Sequence, residues 1–149
     1  HALGLRSITA HVELMRLENG WKVIELGPRV GGFRQDLHQF THGINHTMND
    51  LLIRAGEKPL IPQKQLGYAI AMKFFARKEG TLSKLTGLKK AQELASFKSI
   101  SIEKKVGDKC LFAKNGGSSV FNIILFNEDR STLLADIRRL EQMVVIETE

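Results

Sequence analysis

The chain has 149 residues, of which 42% are hydrophobic and 26% are charged, and its formal net charge is +6. This composition is typical of a globular protein, and the sequence contains no internal repeat or low-complexity stretch. No apolar run approaches the ~20 residues that a membrane-spanning helix needs, and a single cysteine, Cys110, excludes an internal disulfide. Residues 1–4 show no signal-peptide pattern. We therefore expect a cytoplasmic protein without a membrane partner.

The basic charge lies mostly in the second part of the chain. Residues 1–62 hold seven Lys/Arg and six Asp/Glu, whereas residues 63–149 hold fifteen and ten. A nucleic-acid-binding surface is one interpretation of this excess. The lysines, however, are scattered among acidic residues without interleaved aromatic side chains, which favours a solvated face. We expect no nucleic-acid partner and keep a basic nucleic-acid-binding domain as the less favoured alternative.

The first predicted element is a β-hairpin. Apolar and polar residues alternate from Ile8 to Leu17, and Trp21 to Leu26 is a second run of β-branched and aromatic residues. Glu18-Asn19-Gly20 lies between the two runs, and Asn-Gly in this position is a strong hairpin signal.

The length of the hairpin loop decides where Glu13 and Glu25 lie. A two-residue Asn19-Gly20 turn would place the two glutamates on opposite faces. A three-residue loop, with Gly20 in the left-handed position of a bulge, would set them directly opposite each other, and the spacing leaves both registers open. Opposed carboxylates repel unless a cation such as Mg²⁺ offsets the repulsion. Two solvated glutamates are the alternative.

After the hairpin the sequence predicts a loop and then a helix. Gly31-Gly32 can bring backbone N–H groups close to an anion or can simply turn the chain, and both interpretations stay open. The apolar spacing predicts a helix over Ile44–Ala55. His42 and His46 are four residues apart and could bind a metal together. No third ligand is placed by the sequence, which favours exposed or capping histidines.

The second half of the chain predicts a smaller domain. Two prolines make residues 57–63 the best linker candidate, so we expect domains at 1–62 and 63–149. The patterns beyond it predict strands at 67–77, 99–106, 109–113, 119–126 and 144–147, helices at 88–95 and 131–142, a loop at Gly80 and a turn at Asn115-Gly116-Gly117. Strands with two helices indicate an α+β fold with an antiparallel sheet and the helices on one side.

The hairpin residues carry a family resemblance. His11-Val12-Glu13, followed by Val23-Ile24-Glu25-Leu26-Gly27-Pro28-Arg29-Val30-Gly31-Gly32, resembles the C-terminal end of ATP-grasp ligases, in particular carboxylate–amine ligases of the L-amino-acid ligase type. The resemblance implies the end of an ATP-grasp domain followed by a small antiparallel-sheet domain. It also implies the three-residue loop, since the metal ligands of the family face each other.

The resemblance implies a role for each site residue. Glu13 and Glu25 are expected to bind Mg²⁺, with Mn²⁺ as the alternative ion, and Arg29 is expected to be the catalytic contact to the transferred phosphoryl group. Gly31 and Gly32 are the expected ATP-binding positions. Gly27 stands where the family usually has an asparagine that binds metal, so a second metal site would be weaker or completed from elsewhere.

The implied activity is an ATP-dependent ligation. A small-molecule carboxylate would be activated as an acyl phosphate and attacked by an amine, such as that of an amino acid or peptide, and the resemblance also allows a homodimer. The family's nucleotide-gripping lysines and glycine-rich loop lie upstream of His1. We therefore expect an inactive C-terminal fragment of a longer ligase. A non-catalytic binding or scaffolding module with the same fold is the second interpretation.

Overall fold

The computed structural model describes residues 3–113 and 117–149 and divides the chain into two units, His1–Leu66 and Gly67–Glu149. Every strand pair in the described residues is antiparallel, and the fold is α+β, as the sequence predicts. The unit boundary lies four residues beyond the one expected from the sequence. Of the turn predicted at Asn115-Gly116-Gly117, the described residues include only Gly117, which lies in a turn.

The first unit contains one hairpin and two helices. Its elements are β1 (His11–Leu17), β2 (Gly20–Gly27), α1 (Arg34–His42) and α2 (His46–Arg54). The hairpin confirms two predicted strands, and α2 confirms the predicted helix. Asn45 caps α2, since its side-chain oxygen accepts the N–H of Met48 at 2.9 Å. Helix α1 was not predicted. It has no side-chain cap at its first turn, but Asp36 in that turn and the left-handed Gly43 after its last residue were available signals.

A buried asparagine of α2 makes two hydrogen bonds to the predicted linker. The Asn49 amide donates to the carbonyl oxygen of Leu60 at 2.8 Å and accepts the Leu60 N–H at 2.9 Å. Further along, the Leu66 N–H donates to the carbonyl oxygen of Thr41 at 2.7 Å. The predicted linker is therefore hydrogen-bonded to α2 and is not a free linker.

The second unit contains two three-stranded sheets with orders β3-β7-β5 and β6-β4-β8. Its elements are β3 (Tyr68–Phe74), β4 (Gly80–Thr86), α3 (Leu88–Gln92), β5 (Phe97–Ile102), β6 (Lys109–Cys110), β7 (Phe121–Asn127), α4 (Arg130–Met143) and β8 (Val145–Thr148). The loop predicted at Gly80 is wrong, because Gly80 begins β4. A side chain there would collide with the carbonyl oxygen of Glu149, so the strand begins with glycine.

The hydrophobic core of the described residues lies in the second unit. Phe74 stacks on Phe121 with ring centroids 4.5 Å apart, and Cys110 is fully buried among apolar side chains. The buried members are Ala76, Leu82, Ala91, Cys110, Val120, Phe121, Ile123, Leu125, Leu133 and Leu140. Within the described residues, no helix has the length and apolar character required to cross a membrane.

A buried carboxylate joins α4 to the start of β5. Asp136 has no exposed surface, accepts the Ser96 N–H at 3.0 Å and accepts a hydrogen bond from Arg139 at 3.0 Å. We expect Asp136→Ala to lower the free energy of unfolding by about 3 kcal/mol, because it leaves the Ser96 N–H buried without an acceptor. Urea unfolding followed by circular dichroism measures this change.

Glu141→Ala is the matched control for Asp136→Ala, because Glu141 is an exposed carboxylate on the same helix. We expect the control to change the unfolding free energy by less than about 0.5 kcal/mol. Equal effects of the two substitutions would contradict the structural role of Asp136.

Candidate functional site

The hairpin loop differs from both predicted loops. Leu17 pairs with Gly20, so the connection between β1 and β2 is the two-residue segment Glu18-Asn19. Gly20 has a φ of 122°, a conformation that glycine adopts at low cost. The three-residue loop implied by the family resemblance is therefore wrong.

A β-bulge brings the two glutamates opposite each other. Leu14 pairs with Val23, but the next pair is Glu13 with Glu25, so Ile24 is an extra residue on β2. Directly paired residues of antiparallel strands project from the same face. The side chains of Glu13 and Glu25 therefore project from the same face of the hairpin, because of a bulge and not because of a longer loop.

The glutamate pair has no cationic partner among the described residues. Both side chains are exposed, and neither takes part in an ion pair or a hydrogen bond in the part of the chain that the structure covers. Two adjacent carboxylates repel each other, and a divalent cation is the simplest species that offsets this repulsion. The described residues provide no group of three or more His, Cys, Asp or Glu arranged around a metal. A cation held here would thus need further oxygen ligands from water or a phosphate.

The loop after β2 places a guanidinium beside the hairpin. The Arg29 N–H donates to the carbonyl oxygen of Gly27 at 2.8 Å, and Arg29 Nη1 donates to the carbonyl oxygen of Val30 at 3.2 Å. The side chain of Arg29 is exposed, and its Cγ lies 3.7 Å from the position of a Cβ on Gly27. The turn therefore holds the arginine near the end of β2 that carries Glu25.

The two glycines of the loop have different surroundings. Gly31 is buried, and a Cβ there would lie 2.7 Å from His11 Cδ2 and 2.8 Å from Arg34 Cγ. Any larger residue would displace one of those side chains. Gly32 is exposed, and nothing lies within 4 Å of a Cβ built on it. Of these two positions, close packing therefore requires glycine at 31 and not at 32.

Comparison with known proteins was informative only at the level of structure. No protein-family model matches the chain, and no curated protein matches it significantly. An L-amino acid ligase from Bacillus licheniformis superposes with a TM-score of 0.78 at 22% identity, covering 94% of this chain and 36% of that one. A phosphoribosylglycinamide synthetase from Anaerococcus prevotii superposes with a TM-score of 0.75 at 20% identity, covering 99% and 39%.

A third match has bound ligands. The biotin carboxylase domain of 2-oxoglutarate carboxylase from Hydrogenobacter thermophilus, in complex with MgADP, ADP and bicarbonate, superposes with a TM-score of 0.61 at 16% identity, covering 93% of this chain and 31% of that one. The fold is that of the C-terminal part of ATP-grasp ligases. The chain spans about a third of the length of these ATP-grasp proteins.

A cavity of about 500 Å³ lies beside the hairpin of this ATP-grasp fold, within the first unit. Its walls come from β1, the glycine loop and both helices. The lining residues are Thr9, Ala10, His11, Val12, Glu13, Leu14, Ile24, Val30, Gly31, Arg34, His38 and His46. Arg34 and His38 were not among the predicted site residues. The available signal was the four-residue spacing of Arg34, His38 and His42, which went unused because α1 was not predicted.

The predicted His42–His46 pair is not on one helix. His42 is the last residue of α1 and His46 is the first residue of α2, with His38 between their rings. The ring centroid of His38 lies 4.4 Å from that of His46 and 5.7 Å from that of His42. These edge and tilted contacts are packing contacts and do not form a metal site within the described residues.

Acidification is expected to act on this cluster through His38. Burial, followed by the positive charges of His46, His42 and Arg34, lowers the pKa of His38 below its usual 6.5. A histidine with a lowered pKa takes up its proton more readily in the unfolded state, so the folded state loses stability as the pH falls below about 6.5. An NMR titration should place the midpoint of the His38 ring below 6.5, with His38→Gln assigning the signal. A midpoint at or above that value would contradict the packing of the three rings.

Proposed function

We propose that this chain is the C-terminal part of a longer ATP-dependent ligase that joins a carboxylate to an amine through an acyl phosphate. The observation that carries the proposal is the pairing of Glu13 with Glu25 in an ATP-grasp fold, without a cationic side chain to offset them in the described residues. Because the chain spans only about a third of the matched structures, the activity is proposed for the longer protein. These 149 residues alone are expected to be inactive.

Two residues of the hairpin and three of the loop after it have a role in the proposed mechanism. Glu13 and Glu25 would hold Mg²⁺, or Mn²⁺ in its place, and the bound ion would neutralise charge on the ATP phosphates. Arg29, four residues beyond Glu25, offers a guanidinium fork to the transferred phosphoryl group. Gly31 and Gly32 offer backbone N–H groups to the nucleotide phosphates. The substrates would be a small-molecule carboxylate and an amine, such as an amino acid or a peptide.

The test of this function is an ATP turnover assay on the full-length protein. Phosphate release should require Mg²⁺ together with both a carboxylate and an amine, and a new amide product should appear in equal amount. Phosphate release with no dependence on acid or amine, or no release with any amino-acid pair, would contradict the proposal.

Gly27 gives a gain-of-function test of the metal site. A Cβ at this position would meet Arg29 only at 3.7 Å or more, which is ordinary contact, so the backbone accepts a side chain here. We expect Gly27→Asn to tighten Mg²⁺ binding in the presence of ATP by about tenfold, because it adds an oxygen ligand. Isothermal titration calorimetry measures this affinity.

Gly27→Ala is the matched control, because it adds the Cβ without the oxygen. We expect the alanine variant to bind Mg²⁺ within about twofold of the wild type. Equal affinities of the two variants would show that position 27 does not face the metal.

A non-catalytic scaffold is the second candidate function. It is favoured by Gly27 itself and by the missing third ligand in the described residues. A scaffold predicts that Mg-ATP binding to the full-length protein, if measurable, does not change in a Glu25→Gln variant. A ligase predicts that binding weakens.

A further inference from the structure

Another cavity in the part of the chain that the structure covers lies within the second unit and has a volume of about 760 Å³. It is formed where the end of β4, helix α3, the end of β5 and the end of α4 meet, and we call it the α3 groove. Four apolar side chains and two lysines line it: Leu85, Leu88, Ile102, Met143, Lys89 and Lys90. It shares no residue with the metal and nucleotide sites proposed for the first unit, so a ligand here would be a second ligand of the protein.

The floor of the α3 groove is apolar. Leu85, Leu88 and Met143 are partly buried and pack against the hydrophobic core of the second unit. Ile102, the last residue of β5, is 51% exposed. The volume of the groove falls within the range of small-molecule sites, which are lined mainly by apolar side chains with a few polar groups. A bare inorganic ion would leave this apolar surface uncovered, whereas the organic part of a larger ligand would cover it.

A close backbone approach joins two walls of the α3 groove. Gly87 lies between β4 and α3 with a φ of 91°, and a Cβ there would collide with the carbonyl oxygen of Met143 at the end of α4. Glycine adopts this backbone conformation at low cost and has no Cβ to force the two walls apart. The shape of the groove is therefore set by the fold of the second unit.

The rim of the α3 groove is positively charged. Lys89 and Lys90 are exposed, and neither takes part in an ion pair in residues 3–113 and 117–149. No Asp or Glu belongs to the described lining. Glu93 at the end of α3 lies outside it, as does Glu103, which accepts a hydrogen bond from Ser101 Oγ at 2.6 Å. The lining therefore carries two positive charges and no negative charge.

We propose that the α3 groove binds a small organic phosphate, with Lys89 and Lys90 on the phosphate group and the four apolar side chains against its organic part. A phosphate monoester carries a charge of about −1.5 to −2 at pH 7, which matches two lysines better than the single charge of a carboxylate does. Lysine is a common binder of phosphate in proteins. This site goes beyond the proposed ligation and needs no metal ion.

The test uses phenyl phosphate as the probe, with phenol and inorganic phosphate as controls for its two parts. Full-length protein in metal-free buffer is titrated with each compound while the methyl signals of Ile102 and Met143 are followed by NMR. We expect phenyl phosphate to shift both signals in a saturable way and to bind at least tenfold more tightly than either control. The double variant Lys89→Gln/Lys90→Gln should weaken its binding by about tenfold, because it removes two charge-assisted hydrogen bonds.

Lys104→Gln/Lys105→Gln is the matched control variant, because it removes the same charge from two neighbouring lysines outside the lining. It should bind phenyl phosphate within twofold of the wild type, and circular dichroism should show both double variants folded. Equal binding by the two double variants, or equal affinities for phenyl phosphate and either control compound, would overturn the proposal.

A third variant separates this site from the nucleotide site. Glu25→Gln should bind phenyl phosphate as the wild type does, whether or not the proposed ligase function is correct. Weaker binding by Glu25→Gln would place the probe at the hairpin and overturn the proposal. Equally tight binding of phenylacetate, which carries one negative charge, would overturn the assignment to a phosphate.

Discussion

Replacing Glu25 with glutamine is expected to lower Mg-ATP-dependent ligation by the full-length protein about 10³-fold, since losing a metal ligand removes several kcal/mol of charge stabilisation. Glutamine keeps the size of the side chain and removes its charge. Because Glu25 is exposed and pairs with Glu13, its neutralisation removes a repulsion and should not unfold the hairpin. The loss would therefore report on chemistry and not on folding.

Glu18→Gln is the control for this experiment. Glu18 is an exposed glutamate in the hairpin connection, and it undergoes the same chemical change away from the pair. Its turnover should remain within about twofold of the wild type. If Glu25→Gln and Glu18→Gln behave alike, the glutamate pair does not hold the metal.

The two units are expected to differ sharply in independent stability. Residues 67–149 expressed alone should unfold cooperatively with a free energy of about 4 kcal/mol or more, because they contain the whole hydrophobic core cluster of the described residues. Residues 1–66 alone should show no cooperative transition. Urea titration of each piece, followed by circular dichroism, measures both expectations.

The reason lies in the exposed apolar surface of the first unit. Its only buried hydrophobic residue among those described is Ile44, and a two-stranded hairpin is marginal in water. The hairpin leaves large apolar side chains exposed on both strands: Val12, Leu14, Met15, Leu17, Trp21, Val23, Ile24 and Leu26. Apolar side chains that stay exposed add no burial to the stability of the first unit. A cooperative unfolding transition of residues 1–66 in isolation would contradict this view.

The sequence predicted the strands of the hairpin but not how they pair. The alternation of apolar and polar residues and the Asn19-Gly20 signal were sufficient to place β1 and β2. The bulge at Ile24 has no comparable signal, because an extra residue in a strand changes the register without changing the local composition. The family resemblance implied that Glu13 and Glu25 face each other through a three-residue loop. They do pair, but through the bulge at Ile24.

Helix α1 and strand β4 were not predicted. The first turn of α1 lacks a capping side chain, and Gly80 at the start of β4 usually signals a loop. The place of β4 between β6 and β8 is a tertiary feature that local patterns do not record. Asp36 in the first turn of α1 and Gly43 after its end were local signals that went unused. The histidine cluster was missed as a consequence, since it requires α1 to bring His38 between His42 and His46.

The facing glutamate pair is tested most directly by a paramagnetic metal. Mn²⁺ with ATP is added to the full-length protein, and the broadening of backbone amide signals is recorded by NMR. We predict that the amides of Glu13 and Glu25 broaden first and together, and that Glu25→Gln abolishes this broadening at the same concentrations. Sharp signals at both residues while ATP is bound would contradict the assignment of this pair as the metal site.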